Sequence, residues 1–266
     1  MLAKTYLYSK PIKALGQNFL NNQFIAKAEA VHAYGKNVIE IGPGYGMLTR
    51  ELCKHASRVV AIEKDQNLYR LLKVELKSRK LLLLNKDFFK ASDEELRVSD
   101  TQIMISNVPY NLSSKVIEWL LSKKIEAVLC LQKEFVEHML AKPGTEKYSR
   151  LSVMSSLCFS MTKIIDVPKG NFIPVPKVDS AVIYLKPKSD TPRKRELELI
   201  SMLMQHKNKR LRNALLDSHA TLGMEKSQIL SKVKELGSDL KSRPYNLSPS
   251  ELLLIACRIA QSLQKE

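Results

Sequence analysis

No run of about eighteen apolar residues occurs anywhere in the 266-residue chain, so no transmembrane helix is expected. The N-terminus lacks the apolar core and small-residue cleavage site of a secretory signal. Glu29 is the single acid in the first 36 residues, as in a transit peptide, but the first motif begins at Leu15, too early for one. Cysteine is scarce as well: Cys53, Cys130, Cys158 and Cys257 lie far apart, each in an apolar neighbourhood. No spacing among them suits zinc, so they read as reduced core residues of a cytoplasmic protein, and no metal site is expected. Internal repeats and low-complexity segments are absent. Acid is in short supply overall, with 27 acidic residues against 43 basic ones and a net charge of +16. A field of that sign favours a polyanion, and nucleic acid is the commonest. No basic amphipathic helix with a bulky apolar face stands out to favour an anionic membrane.

The chain is organised around Val38-Ile39-Glu40-Ile41, which has the character of a buried strand and runs into Gly42, Gly44 and Gly46. A helical pattern carried by Leu48 and Leu52 follows. Glycine at such a turn allows positive φ and lets the backbone approach a ligand closely. The spacing is Gly-x-Gly-x-Gly, not the Gly-x-Gly-x-x-Gly of dinucleotide binders. Upstream, Gln17 and Asn18 beside Gly16 form either a side-chain-capped loop or a flap closing over a ligand on the glycines. The helix expected from Asn22 to Tyr34 would pack through Phe24, Ile25, Ala28 and Val31.

Two more strands end in acids. The strand read at Arg58 to Asp65 carries Glu63 twenty-one residues past Gly42, close to the roughly 20 at which a strand-end carboxylate grips ribose hydroxyls. Asp65 is the better cap for the following helix, which leaves Glu63 for the ribose. Leu81 to Asn85 leads to Asp87, which either accepts from the amine of an adenine or forms a turn. In an open parallel sheet, ligands sit outside the carboxyl ends of the strands, so these positions share one site.

The fourth strand, Gln102 to Ser106, ends in Asn107-Val108-Pro109-Tyr110. An exocyclic amine on a base is a poor nucleophile because its lone pair is drawn into the ring. The Asn107 side-chain carbonyl and the Val108 backbone carbonyl can each accept one of its hydrogens and aim the lone pair at an incoming methyl group. Pro109 stiffens the backbone and has no N–H, so that edge only accepts. Tyr110 offers a stacking face. Farther on, Pro174 and Pro176 hold an extended segment that either presents Phe172 outward, as a second face for a flipped-out base, or buries it as an anchor. Lys186 to Pro192 reads as a linker, and from Arg193 the pattern is helical. That tail carries Lys207, Lys209, Arg210 and Arg212, a solvated face or a phosphate-binding one.

Taken in order, these motifs resemble the rRNA adenine N(6),N(6)-dimethyltransferase family. The resemblance runs from about residue 13 to 260. It is carried by Leu15-Gly16-Gln17-Asn18-Phe19-Leu20, Glu40 to Thr49, Ile62-Glu63-x-Asp65, Asn107-x-Pro109-Tyr110-Asn111, Tyr148-x-Arg150-Leu151, Phe172-x-Pro174-x-Pro176-Lys177-Val178-Asp179-Ser180 and Leu211 to Leu215. It implies an α/β fold: a Rossmann-like seven-stranded methyltransferase sheet with helices on both faces, spanning residues 1–187. A small all-helical domain at 188–266, contributing to RNA binding, would follow. S-adenosylmethionine would be the cofactor, held by Gln17, Asn18, Leu20, Gly42, Gly44, Glu63, Asp87 and Asn107. Asn107, Pro109, Tyr110 and Phe172 would hold the adenine. The implied activity is dimethylation of two adjacent adenosines in the 3′-terminal hairpin loop of small-subunit rRNA, by a monomer acting on an assembling ribosomal particle.

Val108 stands where the family usually has Leu, and Phe88 where Ala is common. The first motif and Val178 to Val182 separate the chain from the related macrolide-resistance methylases, which modify one adenine of large-subunit rRNA. Glu63, Asn107 and Tyr110 separate it from a non-catalytic RNA-binding factor on the same fold.

Overall fold

A computed structural model describes residues 16–219, 224–229 and 241–262, and Leu15 of the first motif lies outside the described residues. The chain divides into two compact units. One takes the described residues up to 136 together with 161–187, and the other takes 137–160 together with those from 188 on. The boundary expected at 187 is thus one of the crossing points, and 137–160 belongs with the helical unit.

In the first unit, β2 (Asn37–Ile41), β3 (Arg58–Glu63), β4 (Leu81–Asn85), β5 (Ile103–Asn107) and β6 (Glu126–Gln132) are parallel. With β7 (Phe159–Val167) and β9 (Ser180–Pro187) they form a seven-stranded sheet in the order β4-β3-β2-β5-β6-β9-β7. The centre is continuous apolar sequence because helices cover both faces of a parallel sheet, and Val38, Ile39, Ile103, Met104, Ile105, Val128 and Leu129 are all buried. β9 enters antiparallel to β6. The order places β3 and β4 on one side of β2 and β5 and β6 on the other, so the direction of winding reverses between β2 and β5. A crevice opens at such a point beyond the carboxyl ends of the strands. The Ser106 hydroxyl ties the two together by donating to the Ile41 carbonyl at 2.7 Å.

Three helices follow the strands that build the site: α2 (Met47–His55), α3 (Gln66–Glu75) and α4 (Ser113–Lys123). Ahead of them, α1 (Gln23–Ala30) is capped by Asn22, whose side chain accepts from the Phe24 and Ile25 amides. α1 buries only part of the face expected of it: Ile25 is buried and Ala28 half-buried. Phe24 and Val31 are exposed, and the covered face is Ile25, Ala26, Glu29 and Ala30. The small alanines let α1 lie close to its neighbours, and a glutamate goes under with them.

Residues before α1 and after β7 meet in a ribbon that the sequence pattern does not announce. β1 (Phe19–Leu20) pairs antiparallel with β8 (Phe172–Ile173), setting Leu20 opposite Phe172.

The second unit contains α6 (Arg150–Cys158), α7 (Lys194–Gln205), α8 (Leu211–Asp217) and α9 (Pro249–Ser262), while α5 (Lys133–Met139) follows β6. Its core includes Tyr148, fully buried, whose hydroxyl donates to the Leu247 carbonyl at 2.7 Å. Among the described residues, no helix is long and apolar enough to cross a membrane.

Candidate functional site

The ends of β2, β3 and β5 surround a cavity of about 380 Å³. Its wall brings together Gln17, Asn18, Gly42, Gly44, Glu63, Asp87, Asn107, Pro109, Tyr110 and Phe172. Leu20 lines a smaller hollow of about 30 Å³, which shares Asn18, Gly42, Gly44 and Asn107 with the large one and has Glu40 in its wall.

The glycines are there for backbone reasons. Gly42, Gly44 and Gly46 have φ of +64°, +58° and +75°, the left-handed region. A Cβ on Gly44 would also stand 2.6 Å from the Phe19 ring, so the turn and β1 pack too closely for any side chain. Phe19 in turn lies against Tyr45, with ring centroids 4.2 Å apart.

At the end of β3, Glu63 is buried and accepts two backbone N–H groups, Asp65 at 2.8 Å and Gly44 at 3.3 Å. Burial pushes its carboxyl up to about 7 against these bonds. Asp65 takes the capping role: its side chain accepts from the Asn67 amide at 2.8 Å and the Leu68 amide at 3.3 Å. It also accepts from Gln17 at 3.1 Å, which fixes the flap to the head of α3. Asn18 is tied locally, its amide donating to the Gly16 carbonyl at 3.2 Å. Asp87 makes a turn, accepting from Phe89 N at 3.1 Å, and pairs with Lys64 at 3.0 Å while still lining the cavity. Partial burial works the other way, but Lys64 and the Phe89 N–H hold its carboxyl below the ordinary range.

At the end of β5, the Asn107 Nδ2 donates to Glu29 Oε2 at 3.3 Å, and its Oδ1 is buried with no hydrogen-bond partner. A buried acceptor left unpaired is costly, and in a cavity wall it calls for a donor from outside the protein. Pro109 packs under Gly42, its Cγ 3.7 Å from where a Cβ would stand. Tyr110 is pinned at its hydroxyl, 2.7 Å from Ser180 Oγ, and burial raises its phenol above the ordinary value. Phe172 is 2% exposed: it is the buried anchor of β8, and what it offers the cavity is part of a wall.

Sequence reasoning missed several contributors. Glu29 and Glu40 are both fully buried or nearly so, and burial pushes each up to about 8. Ser180 sits in a motif but carried no role. Lys90 and Lys115 line the cavity, with Lys115 Nζ 6.0 Å from the half-exposed Phe89 ring. No motif of the sequence pointed to either lysine.

These residues fit a nucleoside attached to a charged group. A strand-end carboxylate, a cradle without side chains and an unpaired amide carbonyl occupy successive positions along one wall. Among the described residues, no cluster of His, Cys, Asp and Glu could hold a metal ion.

In the second unit, Lys207 is engaged by its own fold, donating to the Tyr148 carbonyl at 2.6 Å with its ammonium 5.5 Å from the Tyr245 ring. Lys209 pairs with Asp217 at 2.7 Å, and Arg210 and Arg212 are exposed.

Comparison with known proteins converges on one group. The family model described as ribosomal RNA adenine dimethylase matches residues 9–247. The chain is 38% identical to the probable ribosomal RNA small subunit methyltransferase A of Methanopyrus kandleri, with 97% of each chain covered. It is 40% identical to the protein of the same description from Thermococcus sibiricus, over 81% of this chain and 79% of that one. Among solved structures, a dimethyladenosine transferase from Plasmodium falciparum superposes with a TM-score of 0.77 at 27% identity, covering 91% of this chain and 98% of that one.

Proposed function

The chain belongs to the ribosomal RNA adenine dimethylase family, and from that premise we propose that it dimethylates the exocyclic amines of two adjacent adenosines in the 3′-terminal hairpin loop of small-subunit rRNA. The methyl donor is S-adenosylmethionine, and the enzyme acts as a cytoplasmic monomer on an assembling ribosomal particle.

The observation that supports this most is the unpaired Oδ1 of Asn107 in the wall of the cavity. An adenine amine has two hydrogens to place. Asn107 Oδ1 takes one, and the backbone carbonyl of Val108, a residue that also lines the cavity, takes the other. With both hydrogens held, the nitrogen lone pair is directed out of the ring plane. Pro109 contributes no N–H that could compete, and Tyr110, pinned by Ser180, gives the base a face to stack on.

Glu63 accepts from the ribose hydroxyls of the donor, and the glycine turn lets its main chain approach closely. Asp87 accepts from the adenine of the donor, and Gln17, Asn18 and Leu20 cover it. The bound cofactor supplies an electrophilic methyl group on a sulfonium. The protein has to align and to accept, and no strong base is required because the amine becomes acidic once methylated. The cavity has to accommodate one methyl already attached for the second transfer. Arg210 and Arg212 contact RNA phosphates, with Lys209 beside them; Lys207 supports the local fold.

The test is to incubate the protein with unmethylated small subunits and, in parallel, with large subunits, each with tritiated S-adenosylmethionine, and to map the modified adenosines. Dimethylation at one adjacent pair is expected, and Asn107→Ala is expected to abolish transfer while RNA binding survives. Label on large-subunit rRNA instead, or full turnover by Asn107→Ala, overturns the reading.

A further inference from the structure

The covered face of α1 carries Ile25, Ala26 and Ala30, and buried among them is Glu29. A carboxyl in such a place is unfavourable unless it is partnered. Burial pushes Glu29 up to about 8, the bond from Asn107 works against that, and the neighbouring Glu40 adds to it. The Cys130 thiol, itself raised by burial, lies near enough to feel the same carboxyl. Nothing in the packing of α1 needs an acid here: Oε1 has no partner, and the bond made by Oε2 goes to a single side chain. An apolar residue of similar length would serve the helix better.

What the carboxyl does when ionised, with both oxygens able only to accept, is settle one orientation. The end of an asparagine side chain can be turned over, exchanging its donor and acceptor ends. Glu29 Oε2 accepts from Asn107 Nδ2 at 3.3 Å and leaves Oδ1 as the unclaimed acceptor. Turned over, Asn107 would meet an amine with an N–H of its own, donor against donor. We infer that Glu29 is a positioning residue for methyl transfer: by holding Nδ2 of Asn107 from beneath, it keeps Oδ1 available to the target amine. Glu29 does not line the cavity and touches neither substrate nor cofactor. The inference rests on the proposed use of Asn107 as an acceptor.

The experiment compares wild type, Glu29→Met, Glu29→Gln and Asn107→Ala on unmethylated small subunits, recording kcat, KM, affinity for S-adenosylmethionine and Tm. Glu29→Met is expected to lower kcat roughly tenfold to a hundredfold, as misplacement of a reacting group does, with KM and cofactor affinity nearly unchanged. Its Tm should hold or rise, because a buried acid has been replaced by an apolar group. Glu29→Gln keeps a carbonyl acceptor but adds an amide donor that can also hold the turned-over Asn107, so it should recover part of the rate.

A residue that merely supported the fold would lose Tm and rate together. Unchanged kcat in Glu29→Met overturns the inference, and so does loss of rate accompanied by a fall in Tm or by failure to fold. An inactive Asn107→Ala beside a fully active Glu29→Met sinks this inference alone. An active Asn107→Ala sinks the proposed function with it.

Discussion

The Tyr110 hydroxyl lies 2.7 Å from Ser180 Oγ, joining the segment after β5 to the first residue of β9. A ring meant to stack on a base gains from being held, since an unpinned tyrosine spends part of its time turned away. Ser180→Ala leaves a half-buried phenol without a partner, a loss of about 1 kcal/mol. KM for the RNA should rise several-fold with kcat less affected. Tyr110→Phe should behave alike, and the double variant should be no worse than either single one, which steady-state kinetics on small subunits would check.

Cofactor affinity should depend on pH through Glu63. Its carboxyl is raised to about 7 in the free protein, and ribose hydroxyls need an ionised acceptor. Binding then releases a proton below that value. Affinity should be flat above about pH 7 and fall toward roughly tenfold per unit as pH drops beneath it. Calorimetry in two buffers of different ionisation enthalpy measures both the slope and the proton, and a flat profile down to pH 5 would refute it.

Gly44→Ala meets two obstacles. The left-handed φ of +58° disfavours any side chain, and the new Cβ would stand 2.6 Å from Phe19. The strain is about 1–3 kcal/mol, and relieving it shifts either the turn or the flap. A lowered Tm together with loss of detectable S-adenosylmethionine binding is expected. Gly35, also left-handed but with open space around it, is the control: Gly35→Ala should carry strain alone and keep binding.

Charge removal at Arg210 and Arg212 addresses the RNA. Both are exposed, and taking away one cation that neutralises a phosphate lowers the dependence of log K on log salt by roughly one unit. The double alanine variant should weaken RNA binding and flatten that slope by about one to two, with S-adenosylmethionine affinity unchanged. A filter-binding series over salt reads both quantities.

Much of this site could be read without coordinates because its parts are strand ends. A parallel strand carries its own signature of buried residues, and the position after it faces the crevice by topology. Gly42, Glu63 and Asn107 are therefore located by counting. Glu29 escaped because a glutamate within a helix reads as solvent-facing. The apolar pattern of Phe24, Ile25, Ala28 and Val31 then assigned the helix a face that is only partly the buried one. Ile25 with the small Ala26 and Ala30, and not Phe24 and Val31, marks the side of α1 that packs. Phe172 had two readings open, and burial makes it an anchor that still forms part of the cavity wall. Lys207 was grouped with its neighbours by charge, but only a folded chain shows that a backbone carbonyl already holds it.

The pairing of Leu20 with Phe172 joins residues more than 150 positions apart. The glycine turn, Glu63 and Asn107 all precede β6, yet one wall of their cavity comes from a strand made much later. A ribosome must therefore deliver the polypeptide beyond Ile173 before its product can close over a donor molecule. Until then the early strands hold a half-built binding site with an open side.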